Sequence, residues 1–255
     1  MATSKLDSLP APSTATVSDS HEEARKRLIV AVDVPSAKAA MELVSRLDGT
    51  CPWLKVGLEL FTAAGPAIVE QLVARGHSIF LDLKFHDIPN TVVGAVRSAA
   101  GLGVRMMNLH ALAGPAVLLA AREELEKLPD PPKLLAVTVL TSMDAEQLNA
   151  VGVAASPATT VERLAKLALE TGIRGFVCSP HEVAALRELT GEEGVLVVPG
   201  IRPAGAAVGD QKRVATPAET LRQGASFLVV GRPITQAANP AEAARAILEE
   251  MAGAL

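Results

Sequence analysis

Tyrosine does not occur in this 255-residue chain, tryptophan occurs once and phenylalanine five times. With aromatics so scarce, aliphatic side chains must pack the interior. Cysteine is nearly as rare. Cys51 and Cys178 lie far apart and in no C-x-x-C arrangement, so they read as small buried hydrophobes of a reducing compartment, and a cytoplasmic location is expected. No apolar run approaches the roughly 20 residues a membrane span requires. The five histidines lack a spacing such as H-x-x-x-H, which leaves a zinc site little support. A formal charge of −4 argues against a nucleic-acid groove, which needs clustered basic residues. A small anionic substrate stays compatible, because a few local cations decide that.

What is abundant is apolar: 49% of the chain, with Ala, Val and Leu dominant, ample for a sizeable core. The length suits one large domain or two small ones, and α/β barrels reach it as a single domain. Residues 1–26 are a polar lead-in of Ser, Thr, Ala and Pro with mixed charges. They lack a signal peptide's apolar stretch, and Asp7, Asp19, Glu22 and Glu23 speak against a transit peptide. The segment reads as a disordered tail, with the fold over 27–255.

From there the chain settles into a rhythm. Short apolar runs appear at Leu28–Asp33, Trp53–Gly57, Ile79–Lys84 and Arg105–His110, then at Leu134–Leu140, Gly175–Ser179, Val195–Pro199 and Ser226–Gly231. They are too short for helices and have the composition of strands buried on both faces. Amphipathic stretches separate them, with Pro66, Pro89, Pro115, Pro180, Pro217 and Pro240 near helix openings, where a missing N–H is harmless. Eight such units at a spacing of roughly 20 to 40 residues predict a closed (β/α)8 TIM barrel. A doubly wound open sheet gives the same alternation. It is the weaker choice, since no G-x-G-x-x-G follows the first strand.

Barrel chemistry sits at the carboxyl ends of the strands. Asp33 closes the first run, Lys55 lies late in the second, and Asp82 and Lys84 end the third. His110 closes the fourth, Thr141 and Ser142 follow the fifth, Arg202 follows the seventh, and Gly231 and Arg232 follow the eighth. Charges in near-continuous apolar strands are expensive unless paired. The third run reads Asp82-Leu83-Lys84-Phe85-His86-Asp87-Ile88-Pro89-Asn90-Thr91. Residues i and i+2 of a strand share a face, so Asp82 and Lys84 should project together with Leu83 opposite. A lysine held between carboxylates keeps its proton, which makes it a positioned cation and proton donor and a poor nucleophile. The bland alternative is a structural ion-pair cluster.

Gly200-Ile201-Arg202-Pro203 and Gly231-Arg232-Pro233 place a glycine beside an arginine in the last two active-face loops. Barrels often hold phosphate there, with glycine admitting the backbone and arginine offering forked donors. Surface arginines beside turn glycines are the alternative. The long Ala204–Thr216 connection, with Gln211 near its middle, is expected to act as a lid. His86 and His110 are open as general bases or as plain polar groups at strand ends, and His77 should lie at the opposite, stabilising face.

These residues carry a resemblance. The D-x-K-x-x-D segment followed by I-P-N-T is similar to the signature of the orotidine 5'-phosphate decarboxylase family. The similarity extends over roughly residues 28 to 250, through Val-Ala-Val-Asp33, Leu-Lys55-Val-Gly, Leu-Thr141-Ser, Pro199-Gly-Ile-Arg202 with Gln211, and Val-Gly231-Arg232-Pro-Ile. The resemblance implies a homodimeric barrel that makes UMP without metal or cofactor. Lys84 would be the proton donor in an Asp–Lys–Asp–Lys array. Lys55, Asp82 and Lys84 would come from one subunit, while Asp87 and Thr91 would reach into the partner's site. Asp33 and Lys55 would bind the ribose, and Thr141 and Ser142 would face the pyrimidine. Arg202, Gln211, Gly231 and Arg232 would hold the phosphate. Keto-sugar phosphate relatives share the D-x-K-x-x-D segment but use Mg2+, with a carboxylate where Lys55 stands. A non-catalytic phosphate-binding scaffold is the remaining alternative.

Overall fold

The computed structural model describes residues 17–203 and 215–255. Eight parallel strands follow one another in sequence order: β1 (Leu28–Ala31), β2 (Trp53–Gly57), β3 (Ser78–Phe85), β4 (Met106–His110), β5 (Lys133–Val137), β6 (Gly175–Val177), β7 (Val195–Val198) and β8 (Phe227–Val230). β8 pairs back onto β1 through Leu28–Leu228, so the sheet closes. The expected (β/α)8 barrel is what forms, and the open sheet is ruled out.

Alternation explains why the strands are apolar throughout. Ile29, Ala31, Phe80, Met106, Leu135, Val197 and Val229 pack on one another inside the barrel. Their neighbours Leu28, Val30, Leu81, Met107, Ala136, Leu196 and Leu228 belong to the outer core under the helices. Both faces are buried, so no polar alternation can appear. Two of the scarce aromatics lie low in the barrel, where Trp53 and Phe227 meet edge to face with centroids 5.3 Å apart. The charged strand ends therefore stand on a dry, filled floor.

Proline and polar caps start the helices as expected. Pro89, Pro115, Pro217 and Pro240 each open one, Pro180 opens a short 3-10 turn, and Pro66 sits one residue ahead of its helix. The connection after β2 is split into helices Leu58–Ala64 and Ala67–Ala74, because Gly65 turns with φ 66° and Pro66 follows it. Several strands stop short of their apolar runs. β1 ends at Ala31 and not Asp33, and β5 ends at Val137 and not Leu140. Of the residues beyond the ladder, Asp33, Val139 and Leu140 line the active-face cleft.

The N-terminal expectation needs correction. Residues 17–26 are not a tail: Val17–Arg27 is a helix. Its sequence has acidic Asp19 in the first turn and Arg25, Lys26 and Arg27 in the last, which suits the helix dipole. Glu22–Arg25 and Glu23–Arg27 pairs brace it at 3.0 and 2.7 Å. Ala24 is fully buried where the helix packs on Pro240–Ala252. Arg25 also donates to the carbonyls of Thr50 and Gly49 at 3.1 and 3.0 Å. Tertiary packing overrides a composition that read as solvated.

Candidate active site

At the carboxyl ends of β1 to β3 the isolated charges of the sequence become one array. Lys55 and Gly57 share the inward face of β2. Lys55 Nζ lies 2.9 Å from Asp33 Oδ1 and 3.3 Å from Asp82 Oδ2. Lys84 Nζ donates to Asp82 Oδ1 at 2.5 Å. The order in space is Asp33, Lys55, Asp82, Lys84, alternating in sign. Gly57 makes room for it: a Cβ there would stand 2.9 Å from Lys55 Nζ and 3.0 Å from Asp33 Oδ1.

Burial sets the electrostatics. Asp82 and Lys55 are both buried. Burial pushes the Asp82 carboxyl upward, but the Lys55 and Lys84 ammonium groups and hydrogen bonds from Lys84 and Asn108 outweigh it and hold the carboxyl below its ordinary range. Burial likewise opposes the charge on Lys55. Asp82 and Asp33 more than reverse this and keep its ammonium protonated above the usual lysine range. His110 goes the other way. Burial, then the charges of His86 and Lys84, lower it to about 4 against a weaker opposing pull from Asp82, so it is neutral near pH 7. Its ring lies 5.4 Å from that of His86.

The β3 backbone departs from a regular strand where the array is built. β3 pairs with β4 at Phe80–Met106 and Leu81–Met107, and next at Phe85–Leu109. Asp82, Leu83 and Lys84 thus bulge opposite the single residue Asn108. Lys84 takes φ 51°, in the left-handed region, which opposes folding by about 1 kcal/mol. The expected common projection of Asp82 and Lys84 is observed, with Leu83 packed on the outer core. It arises from this bulge and not from a regular pleat.

The single chain holds one half of the expected lysine cage. Lys84 is paired with Asp82, which itself lies between Lys55 and Lys84. Asp87 stands exposed after β3, with its Oδ1 accepting from the N–H of Ile88 at 2.6 Å. Thr91 is exposed in the first turn of helix Pro89–Gly101. Thr141 lines the cleft above the array, while Ser142 is exposed and outside the lining. Arg202 is half-buried, its Nη1 donating to the Ile201 carbonyl at 2.8 Å, and its loop begins at Gly200 with φ 81°. Gly231 and the exposed Arg232 follow β8 in the adjacent loop. Gln211 and most of the expected lid, residues 204–214, lie outside the described residues.

The cleft holds about 270 Å³ and has two unlike walls. Asp33, Lys55, Asp82 and Lys84 form one. Val137, Val139, Leu140, Val177, Pro199 and Val229 form the other. The sequence reading missed this apolar wall, because inward valines at strand tips look like core. It also missed Asn108, whose signal was an inward parity shared with Met106 and His110. A larger groove of about 780 Å³ runs outside the barrel between Ala111–Pro115 and helix Pro157–Glu170. It contains none of these strand-end groups.

Comparison with known proteins agrees with this geometry. Residues 26–247 match the model of the Orotidine 5'-phosphate decarboxylase / HUMPS family. Orotidine 5'-phosphate decarboxylase of Nitrosococcus oceani is 53% identical over 89% of this chain and 98% of its own. That of Moorella thermoacetica is 54% identical over 89% and 93%. The crystal structure of orotidine 5'-phosphate decarboxylase from Lactobacillus acidophilus superposes with a TM-score of 0.78 at 39% identity, covering 88% of this chain and 98% of that one. A barrel of this closure with this charged array, matched over nearly its whole length, belongs to the Orotidine 5'-phosphate decarboxylase / HUMPS family.

Proposed function

We propose that the chain removes CO2 from orotidine 5'-monophosphate to give UMP, with Lys84 bearing the charge of the C6 carbanion and then protonating it. The observation that carries this is the Asp33–Lys55–Asp82–Lys84 array on a dry barrel floor. Loss of CO2 leaves a carbanion with little resonance relief, so the catalyst must remove on the order of 20 kcal/mol. An ammonium already fixed by Asp82 needs no reorganisation when that charge develops, and it is the nearest acid to the carbon afterwards. Asp82 lies beside the departing carboxylate on this reading, while Asp33 and Lys55 take the ribose hydroxyls.

Arg202 and Arg232, in adjacent loops after β7 and β8, suit the phosphate as forked donors. The apolar wall with Thr141 at its edge suits the pyrimidine. Leu58, Ile88 and Leu112 stand 57%, 66% and 50% exposed just after β2, β3 and β4. Three large apolar side chains on neighbouring loops favour a second copy of the chain docking there, which would bring Asp87 and Thr91 to the other subunit's site. The proposed setting is the cytoplasm, in keeping with two buried thiols that form no disulfide.

One observation separates this from a Mg2+-dependent keto-sugar phosphate reaction. The Lys55 ammonium sits between Asp33 and Asp82, where it would repel a divalent ion. The test is the absorbance loss on adding orotidine 5'-monophosphate to EDTA-treated protein. Turnover is expected without added metal, abolished by Lys84→Ala with UMP binding retained. Near-native turnover in Lys84→Ala, or activity restored only by Mg2+, would refute the proposal.

A further inference from the structure

We infer that Asn108 is a positioning residue for the Asp82–Lys84 pair, a role that rests on the decarboxylase reading above. Its side chain is fully buried on the inward face of β4. Asn108 Nδ2 donates to Asp82 Oδ1 at 2.7 Å, and Asn108 Oδ1 accepts from the Lys84 backbone N–H at 2.8 Å. One planar amide thus fixes a carboxylate and the backbone of the lysine that the carboxylate holds.

The bulge makes both bonds necessary. With three β3 residues opposite one on β4, the Lys84 N–H loses its place in the ladder and would be a buried donor left unmade. The left-handed Lys84 conformation persists only where surrounding contacts over-determine it. Asn108 supplies that contact. Its other bond fills a lone pair of Asp82 Oδ1, the same atom that receives Lys84 Nζ, and so sets the direction from which the ammonium approaches. A carboxamide donates and accepts at this span without adding charge.

The near-isosteric Asn108→Asp removes the donor and sets like charge against Asp82. Around that position β3 presents Asp82 and Lys84, β2 presents Lys55 with Asp33 beyond it on the β1 side, and β4 itself carries His110. β5 presents only Leu135 and Val137. Burial and Asp82 raise the introduced carboxyl, and the two lysines, already engaged with Asp82, offset this only in part. Once protonated, that carboxyl donates to Asp82 and accepts from the Lys84 N–H, as the amide does.

The experiment compares the native chain with full-length Asn108→Asp and Asn108→Ala. It measures kcat and KM for orotidine 5'-monophosphate from about pH 5.5 to about pH 8.5. At the alkaline end Asn108→Asp is expected to lose about a hundredfold or more in kcat with KM within about threefold, and the deficit to shrink at least about tenfold at the acid end. Asn108→Ala should lose kcat without acid recovery. A role in packing alone would give no such pH dependence. Hydrogen exchange of the Lys84 amide, expected to accelerate in Asn108→Ala, reads the Asn108 contact without turnover. A native chain with no decarboxylase activity would therefore sink the functional reading while leaving that contact testable. A pH-independent deficit in Asn108→Asp, near-native kcat in both variants, or unchanged Lys84 exchange would overturn the role. If Asn108→Ala fails to fold, the pH profile of Asn108→Asp decides.

Discussion

Lys55→Met tests whether the array behaves as a buried network. The substitution keeps roughly the length and volume of the side chain and removes only its charge. Lys55 Nζ is 3.3 Å from Asp82 Oδ2, and both side chains are 11% exposed. Coulomb's law at an effective dielectric of about 20 gives an attraction of about 5 kcal/mol at that distance. Desolvation offsets part of it, and Asp82 keeps its second partner Lys84, so the loss should fall short of the roughly 3–5 kcal/mol of a fully unpaired buried charge. Asp33, half exposed, adds little. The sign with pH follows from Asp82. In the native chain its carboxyl is depressed, so it contributes stability above its unfolded pKa that is lost as pH falls through the folded one. Without Lys55 the carboxyl keeps Lys84 and Asn108 but loses its largest opposing charge, so its depression shrinks and the fold gains less stability as pH rises through the ordinary carboxylate range. The stability gap between the two proteins should widen from below about 1 kcal/mol near pH 4 to about 2 kcal/mol near pH 7. Urea unfolding at fixed protein concentration measures it, from midpoint and slope together. A gap below about 1 kcal/mol at pH 7, or one that narrows as pH rises, would refute the reasoning.

Other perturbations probe separate parts of the site and fold. Gly57→Ala puts a methyl group 2.9 Å from Lys55 Nζ and should cut kcat by about tenfold with little change in Tm; kcat within twofold of native would show that Lys55 has room to move. Arg232→Ala is expected to weaken UMP by about 10- to 100-fold and uridine by less than about twofold. Equal losses, read by calorimetry, would remove Arg232 from the phosphate. Ala24→Asp places a charge where the N-terminal helix is fully buried and should lower stability by about 2–3 kcal/mol; an unchanged urea midpoint would mean the helix is not part of the cooperative fold.

The barrel was legible because strands buried on both faces have to be apolar at every position, and Leu28–Ala31 or Phe227–Val230 allow no other reading. Asp33, Lys55, Asp82 and Lys84 were legible for the complementary reason: a charge at the end of such a run needs a partner. Asn108 was not. A neutral amide raises no such alarm, and no glycine marks the bulge that gives it its partners. The helix over Val17–Arg27 hid behind mixed charges, although its Glu23–Arg27 spacing was in view; what decides it is the burial of Ala24 against a helix more than 200 residues later. Asp87 was placed by resemblance alone. In the single chain its carboxylate turns back on Ile88, and a residue proposed to act in another subunit would leave no mark on its own fold.

The division of the cleft bears directly on how the proposed chemistry gains its rate. The ionic wall comes from β1 to β3, and the apolar wall from residues at the ends of β5 to β8, with Asn108 of β4 between them. An ammonium facing water would be screened as the carbanion formed. With Val137, Val177 and Val229 lining the same cleft, a bound pyrimidine would displace water and leave the ammonium in a medium with few dipoles to compete. The same dryness would punish an unpaired Lys84, and Asp82 supplies the pairing. Each wall therefore makes the other tolerable: the carboxylates permit a cation beside an apolar wall, and on the proposed mechanism that wall would give the cation its leverage on the reacting carbon. The barrel supplies both at once, because alternate inward positions on different strands reach one layer without having to share a sequence pattern.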